Sequence, residues 1–158
     1  LMHSLVTSRL DYCNALLHRV PDCRIKPLQR VQNIAARVVM RCSKTDDINA
    51  VLKSLHWLPV KERILFKILL LVYKCKKNLA PDYLCSLCVP YKQDFNSRRN
   101  HLEMLVVPKS RLKSYGDRSF SVAGAEEWNK LPLVLKQSCS VETFKKNLKT
   151  YLFQQCFM

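Results

Sequence analysis

Three groups of residues in this chain have the types and spacing to do chemistry. Asp46-Asp47 is a pair of carboxylates, the residue type that holds the metal ions of a nucleotidyl-transfer site. Such a pair sits in an apolar hairpin with a third carboxylate elsewhere. Here it sits in a polar turn just ahead of an apolar helical pattern, so capping a helix N-terminus is the favoured role. Cys85-x-x-Cys88, with Cys75 upstream and His101 downstream, could grip a zinc ion, which needs four soft or imidazole ligands. No second CxxC and no paired histidines follow, and the alternative is two half-buried thiols on a short helix. The third group is a row of cations. Lys26, Arg30, Asn33, Arg37 and Arg41 fall within about a quarter-turn of a helix, and no acid occurs between Asp22 and Asp46. Surface helices ordinarily pair such cations with acids at i,i+4, so an unpaired row suits phosphates. A solvated face is the plainer alternative.

More cations follow the same logic. Arg63, Lys67, Lys74 and Lys77 share a narrow arc of the next long helical pattern, with Glu62 its one acid. Farther on, Lys109, Arg111, Lys113 and Tyr115 alternate, so in extended chain three cations and one ring share a face. A cation beside a stacking ring suits single-stranded nucleic acid, and Arg118 lies just beyond the Gly116-Asp117 turn. A charge-guarded edge ribbon is the alternative. The whole chain is biased the same way, with 27 Lys and Arg against 12 Asp and Glu, a net charge of +15. That excess favours polyanions, with nucleic acid ahead of an acidic membrane surface. With two glycines, Gly116 and Gly124, there is no Gly-rich phosphate loop. Of the eight cysteines, Cys13, Cys42, Cys75 and Cys156 sit inside apolar helical patterns, and no signal peptide precedes them, which reads as reduced, intracellular thiols.

The elements that must position these residues are helices. The stretch Leu55-His-Trp57-Leu-Pro59 leads into a helix in which Val60, Ile64, Leu65, Ile68, Leu69, Leu71, Val72 and Cys75 form a broad apolar face. Pro59 suits its first turn, and no Pro or Gly recurs until Pro81. The run between Ile64 and Tyr73 contains Lys67 and is too short to span a bilayer, so this is a core helix. Residues 1–20 read as one helix with Met2, Leu5, Val6, Leu10, Cys13, Leu16, Leu17 and Val20 inward, closed by Pro21-Asp22. Pro27 starts the next, with Leu28, Val31, Ala35, Val38 and Cys42 inward. Short helices are expected over 48–55 and 82–87, and longer ones over 119–131 and 141–157. Trp128, Phe144, Leu148 and Leu152 face the core, while Lys145, Lys146 and Lys149 face out. The expected fold is mainly α, a helical bundle with one short β-hairpin or ribbon around residues 103–120. Residues 1–90 form the bundle, and 91–158 the basic ribbon plus two C-terminal helices, packed as one unit.

Several local strings together resemble one family. They include Ser8-Arg9-Leu10-Asp11-Tyr12-Cys13-Asn14, Leu28-Gln29-Arg30-Val31-Gln32-Asn33, Leu55-His56-Trp57-Leu58-Pro59-Val60, Tyr115-Gly116-Asp117-Arg118 and Trp128-Asn129 with Leu131-Pro132. In order and spacing they resemble the carboxy-terminal segment, thumb and downstream, of the reverse transcriptase of LINE-type (non-LTR) retrotransposons. The resemblance implies a parent RNA-directed DNA polymerase using Mg²⁺, whose aromatic-x-Asp-Asp hairpin and endonuclease residues have no counterpart here. It implies a piece of a longer protein that is not itself an enzyme and has no cofactor. Its partners would be the backbone of RNA, DNA or a hybrid and the remainder of the reverse transcriptase, without a membrane. Its place would be a ribonucleoprotein in nucleus and cytoplasm. A thumb grips a duplex through its phosphates, so the cations named above are its expected contacts. The alternatives are a protein-interaction or packing domain, or a degenerate retrotransposon remnant.

Overall fold

The structure, a computed structural model, describes residues 2–91, 103–112 and 114–157. Among these residues the protein is mainly α-helical and holds no β-strand. The helices are α1 (Ser8–Asp11), α2 (Asp22–Met40), α3 (Ile48–Ser54), α4 (Val60–Lys76), α5 (Asp82–Cys85), α6 (Phe120–Lys130), α7 (Leu133–Lys136) and α8 (Val141–Phe157). Backbone contacts define two compact units: Leu1–Lys67 with Lys149–Met158, and Ile68–Leu148. Both boundaries fall inside helices, α4 and α8, whereas the change of sequence pattern falls near residue 90.

In the first unit, α4 begins directly after Pro59, with the Arg63 N–H donating to the Pro59 carbonyl at 3.0 Å. Val60 and Ile64 are buried as the pattern requires. The free backbone groups at this helix start are met by side-chain amides from α2. The Val60 N–H donates to Gln29 Oε1 at 2.8 Å, and Gln32 Nε2 donates to the Leu58 carbonyl at 2.8 Å. Gln29 Nε2 in turn donates to Gln32 Oε1 and Asn33 Oδ1. Helix termini leave such groups unpaired, and burying one without a partner costs about 1–3 kcal/mol.

That requirement decides how α2 is turned, and it corrects the expected packing. Ile25, Gln32, Ala35 and Ala36 are the buried residues of α2, while Val31 and Val38, expected inside, are exposed together with Ile34 (61%). Ala36, Val51 and Leu52 form a small core with Cys42, Ile48, Leu55, Trp57 and Phe157 around it. Pro27 does not start α2 but lies inside it. Pro21-Asp22, expected to close a helix, opens this one instead. An acid in the first turn faces the positive end of the helix dipole, and Asp22 also pairs with Lys61 at 2.7 Å. The single helix expected over residues 1–20 is broken. A π-helical turn (His3–Thr7) precedes α1, Cys13 takes a left-handed conformation (φ 49°), and a 3-10 turn follows at Asn14–Leu17. Leu5 and Leu16 are exposed, and the buried residue here is polar Asn14. The break sits where Asp11 binds Arg63 and receives a 3.4 Å hydrogen bond from Asn14 Nδ2.

In the second unit, Ile68, Leu69, Val72, Tyr73 and Cys75 of α4 are buried. The Tyr73 ring stacks on Phe144 with centroids 4.2 Å apart, and Trp128 tilts against both. Tyr73 Oη donates to the Ser138 carbonyl at 2.8 Å, so the buried phenol is satisfied. A Cβ on Gly124 would lie 2.9 Å from Val72 Cγ2, so α6 approaches α4 as closely as it does because that residue is glycine.

The hairpin expected around residues 103–120 does not form among the described residues. Leu105 instead makes one isolated antiparallel bridge to Pro90, with the Val106 N–H donating to Val89 O and the Tyr91 N–H to Met104 O. Its own backbone groups are taken by a side chain: Asn129 accepts from the Leu105 N–H and donates to the Leu105 carbonyl, both at 2.9 Å. Trp128 Nε1 adds a 2.7 Å bond to the Glu103 carbonyl. With both edges of Leu105 occupied, no ladder to residues 109–115 remains open to it, and Gly116–Arg118 coils into a 3-10 turn.

Leu69→Ala should destabilise the protein by roughly 2–5 kcal/mol, because the cavity it leaves is fully enclosed. Ile34→Ala, on the exposed face of α2, should change stability by no more than about 0.5 kcal/mol. Urea denaturation followed by circular dichroism checks both. Equal losses would mean that α2 is turned the other way.

Candidate nucleic-acid interface

The expected cations divide between the two units. In the first, α2 presents Lys26 and Arg30 to solvent, and among the described residues neither makes an ion pair. Asn33 is turned inward by its bond to Gln29. Arg41 lies past the end of α2 in a left-handed conformation (φ 54°), so its side chain leaves the helical row while staying exposed. Arg37 is half-buried, and its Nη2 donates to the Asp46 carbonyl at 3.4 Å, bracing the turn before α3. The row is therefore two exposed cations on the helix, one beyond its end, and one spent on structure.

Arg63 is also spent. Its Nε donates to Asp11 Oδ1 at 2.8 Å and its Nη2 bonds Asp11 Oδ2, a two-pronged pair in which the Arg63 side chain is 17% exposed. A pairing across 52 residues carries no local sequence signal, which is why spacing could not reveal it. Lys67, one turn on, is exposed and makes no ion pair among the described residues. Arg63 and Lys67 both line a cavity of about 370 Å³ that also receives Lys149 from α8. Nothing in the local spacing linked Lys149 to the other two.

In the second unit, Lys74 is half-buried, and the exposed Lys77 holds its ammonium 5.9 Å from the Tyr73 ring centroid. Lys109 and Arg111 are exposed and line a shallow hollow of about 290 Å³ floored by Gly116, Ser119 and Ser121. Tyr115 is exposed, Arg118 is half-buried, and Lys113 lies outside the described residues. The regular alternation expected for Lys109, Arg111 and Tyr115 requires an extended strand, which is absent among the described residues.

The other two groups resolve clearly. Asp47 Oδ1 accepts from the Asn49 N–H at 3.0 Å and caps α3, while Asp46 Oδ2 accepts from the Ser43 N–H at 2.8 Å. Both carboxylates do turn and capping work, as their context implied. All eight cysteines are free thiols. Burial first, then the adjacent Cys88 and Cys85, push the Cys75 thiol up to about 12. Cys88 is raised by burial and partly relieved by its hydrogen bond with Cys75. Among the described residues no group of three or more His, Cys, Asp or Glu side chains is arranged to hold a metal ion. His101 lies outside them. Likewise no helix among the described residues is long and apolar enough to cross a membrane.

Comparison of the chain with protein families, curated proteins and solved structures returns no match.

The thiolate is the nucleophile in alkylation, so a raised pKa slows the reaction. Burial also raises Cys156, to about 11, with the Glu62 carboxylate adding to it. At pH 8 iodoacetamide should therefore label exposed Cys13, Cys23 and Cys139 well before Cys75 and Cys156, as read by peptide mass spectrometry. Raising the pH towards 10 should speed labelling of Cys75 and Cys156. Early labelling of Cys75 would contradict its burial.

Proposed function

We propose that this chain is a non-catalytic carboxy-terminal segment of a LINE-type reverse transcriptase that binds nucleic-acid backbone without reading sequence. The observation that carries this reading is the surplus of exposed cations that form no close ion pair among the described residues, Lys26 having a looser attraction to Asp22 one turn before it. Lys26, Arg30, Arg41, Lys67, Lys77, Lys109 and Arg111 are exposed and make no ion pair among the described residues. Phosphate recognition needs cations on a solvent face and no base-edge contacts, and the family resemblance points the same way. In this reading the chain meets RNA, DNA or a hybrid as part of a larger polymerase within a ribonucleoprotein. The Mg²⁺-dependent chemistry belongs to that larger protein.

A second reading, a packing or protein-interaction domain, is favoured by one specific observation. Val31, Ile34, Val38, Val39 and Met40 leave an apolar face of α2 in solvent. That face is of the kind the remainder of a polymerase would cover, and a degenerate copy would keep it bare.

Salt dependence separates the two readings. If some four to eight cations contact phosphates together, log K for a duplex should fall against log[salt] with a slope of about −3 to −7. Arg30→Gln with Arg41→Gln should flatten the slope by about two, since both side chains are exposed and make no ion pair among the described residues. Arg37→Gln should lower stability instead, because Arg37 braces the 43–46 turn. No duplex binding at low salt, together with a specific partner lost in Ile34→Glu, would hand the case to the packing reading.

The non-catalytic part is tested by incubating the purified chain with template–primer, dNTPs and Mg²⁺. No primer extension is expected. Extension that co-purifies with the chain through successive columns would overturn it.

A further inference from the structure

The cavity of the first unit combines features that no backbone-binding surface needs. Its lining includes Asn14, Trp57, Leu58, Phe66, Lys67 and Lys149. Trp57, Leu58 and Phe66 supply apolar and aromatic surface, the lining that takes a flat ring. Asn14 is 2% exposed, and its Oδ1 is buried without a hydrogen-bond partner. Its amide nitrogen is already committed to Asp11, so the free atom is an acceptor that wants an N–H or O–H donor. Lys67 and Lys149 make no ion pair among the described residues, and the one acid in the lining, Asp11, is neutralised by Arg63. At about 370 Å³ the space falls in the range of small-molecule sites.

We propose that this cavity binds a single unpaired nucleotide. The base packs against Trp57 and Phe66 and donates an N–H towards Asn14 Oδ1, while its phosphate meets Lys67 and Lys149. Every nucleobase carries at least one N–H donor on its edge. A phosphotyrosine ring would satisfy the aromatic surface and the cations but carries no donor for Asn14. The inference borrows the ligand's class from the nucleic-acid reading but rests on different residues from the exposed α2 cations. It adds a point of contact for a base to a surface otherwise built for phosphates.

The two tryptophans give separate indole N–H signals in a ¹⁵N-correlated NMR spectrum, and Trp128 is fully buried in the other unit. Titrating the full chain with AMP at low salt should move the Trp57 indole signal saturably and leave that of Trp128 in place. Adenosine and inorganic phosphate should each bind about tenfold or more weakly than AMP, because each satisfies half of the site. Lys67→Gln with Lys149→Gln, both at exposed positions, should weaken AMP by about tenfold or more. Asn14→Leu should weaken adenosine as well as AMP. If that variant fails to fold, the lysine pair still decides. No shift of the Trp57 signal at millimolar AMP, or a response to phosphate equal to that with AMP, overturns the proposal. The Arg30→Gln/Arg41→Gln variant separates the two readings, since AMP binding should survive in it while the duplex salt slope flattens. Duplex binding without an AMP response sinks the pocket alone. An AMP response without duplex binding sinks the backbone reading alone.

Discussion

The apolar face of α4 is the constraint on which each unit depends. Val60 and Ile64 are buried in the first unit, and Ile68, Leu69, Val72, Tyr73 and Cys75 in the second. Full burial of such side chains contributes roughly 1.5–3 kcal/mol each, so this one helix supplies a large share of the driving force for folding. Its demands then propagate. Tyr73 must be covered, and Trp128 and Phe144 do so with no exposed surface of their own. Val72 tolerates α6 close by because Gly124 has no side chain.

Burying that helix creates a second requirement, since backbone groups buried with it need partners. Both units solve it with side-chain amides. Gln29 and Gln32 serve Leu58 and Val60 at the start of α4, and Asn129 serves both backbone groups of Leu105. Placing polar residues inside in this way displaces apolar ones outward. The exposed Val31, Ile34 and Val38 of α2 are the counterpart of its inward-facing glutamines. The lack of a hairpin among the described residues is likewise the counterpart of the Asn129 clamp, which occupies both backbone groups of Leu105.

The same economy sorts the basic residues. A cation within reach of a backbone acceptor or an acid becomes structural: Arg63 on Asp11, Arg37 on the Asp46 carbonyl, and Lys136 on the Asn129 carbonyl at 3.2 Å. Lys136 is buried enough that desolvation, aided by Lys76, lowers its pKa. With 27 basic residues against 12 acidic ones, the acids are too few to pair with every cation. The interface proposed here is what is left after the fold has used what it needs.

Local chemistry was legible in the sequence wherever one element sufficed to define it. The α4 face, a capping role for the Asp46-Asp47 pair and the inward Trp128, Phe144 and Leu148 all follow from local spacing in the chain. Periodicity also located most of the helices, because 3.6-residue repetition is a property of the chain itself. It could not say which face of α2 turns inward, since that depended on glutamines meeting backbone groups some thirty residues away. Nor could it break the first helix at Cys13, pair Arg63 with Asp11, or set Asn14, Trp57, Lys67 and Lys149 around one cavity. The sequence by itself determined a strongly basic, helical protein and the elements that carry its charge. Which cations stay free was decided by the tertiary structure, because a charge is committed or released by neighbours distant in the chain.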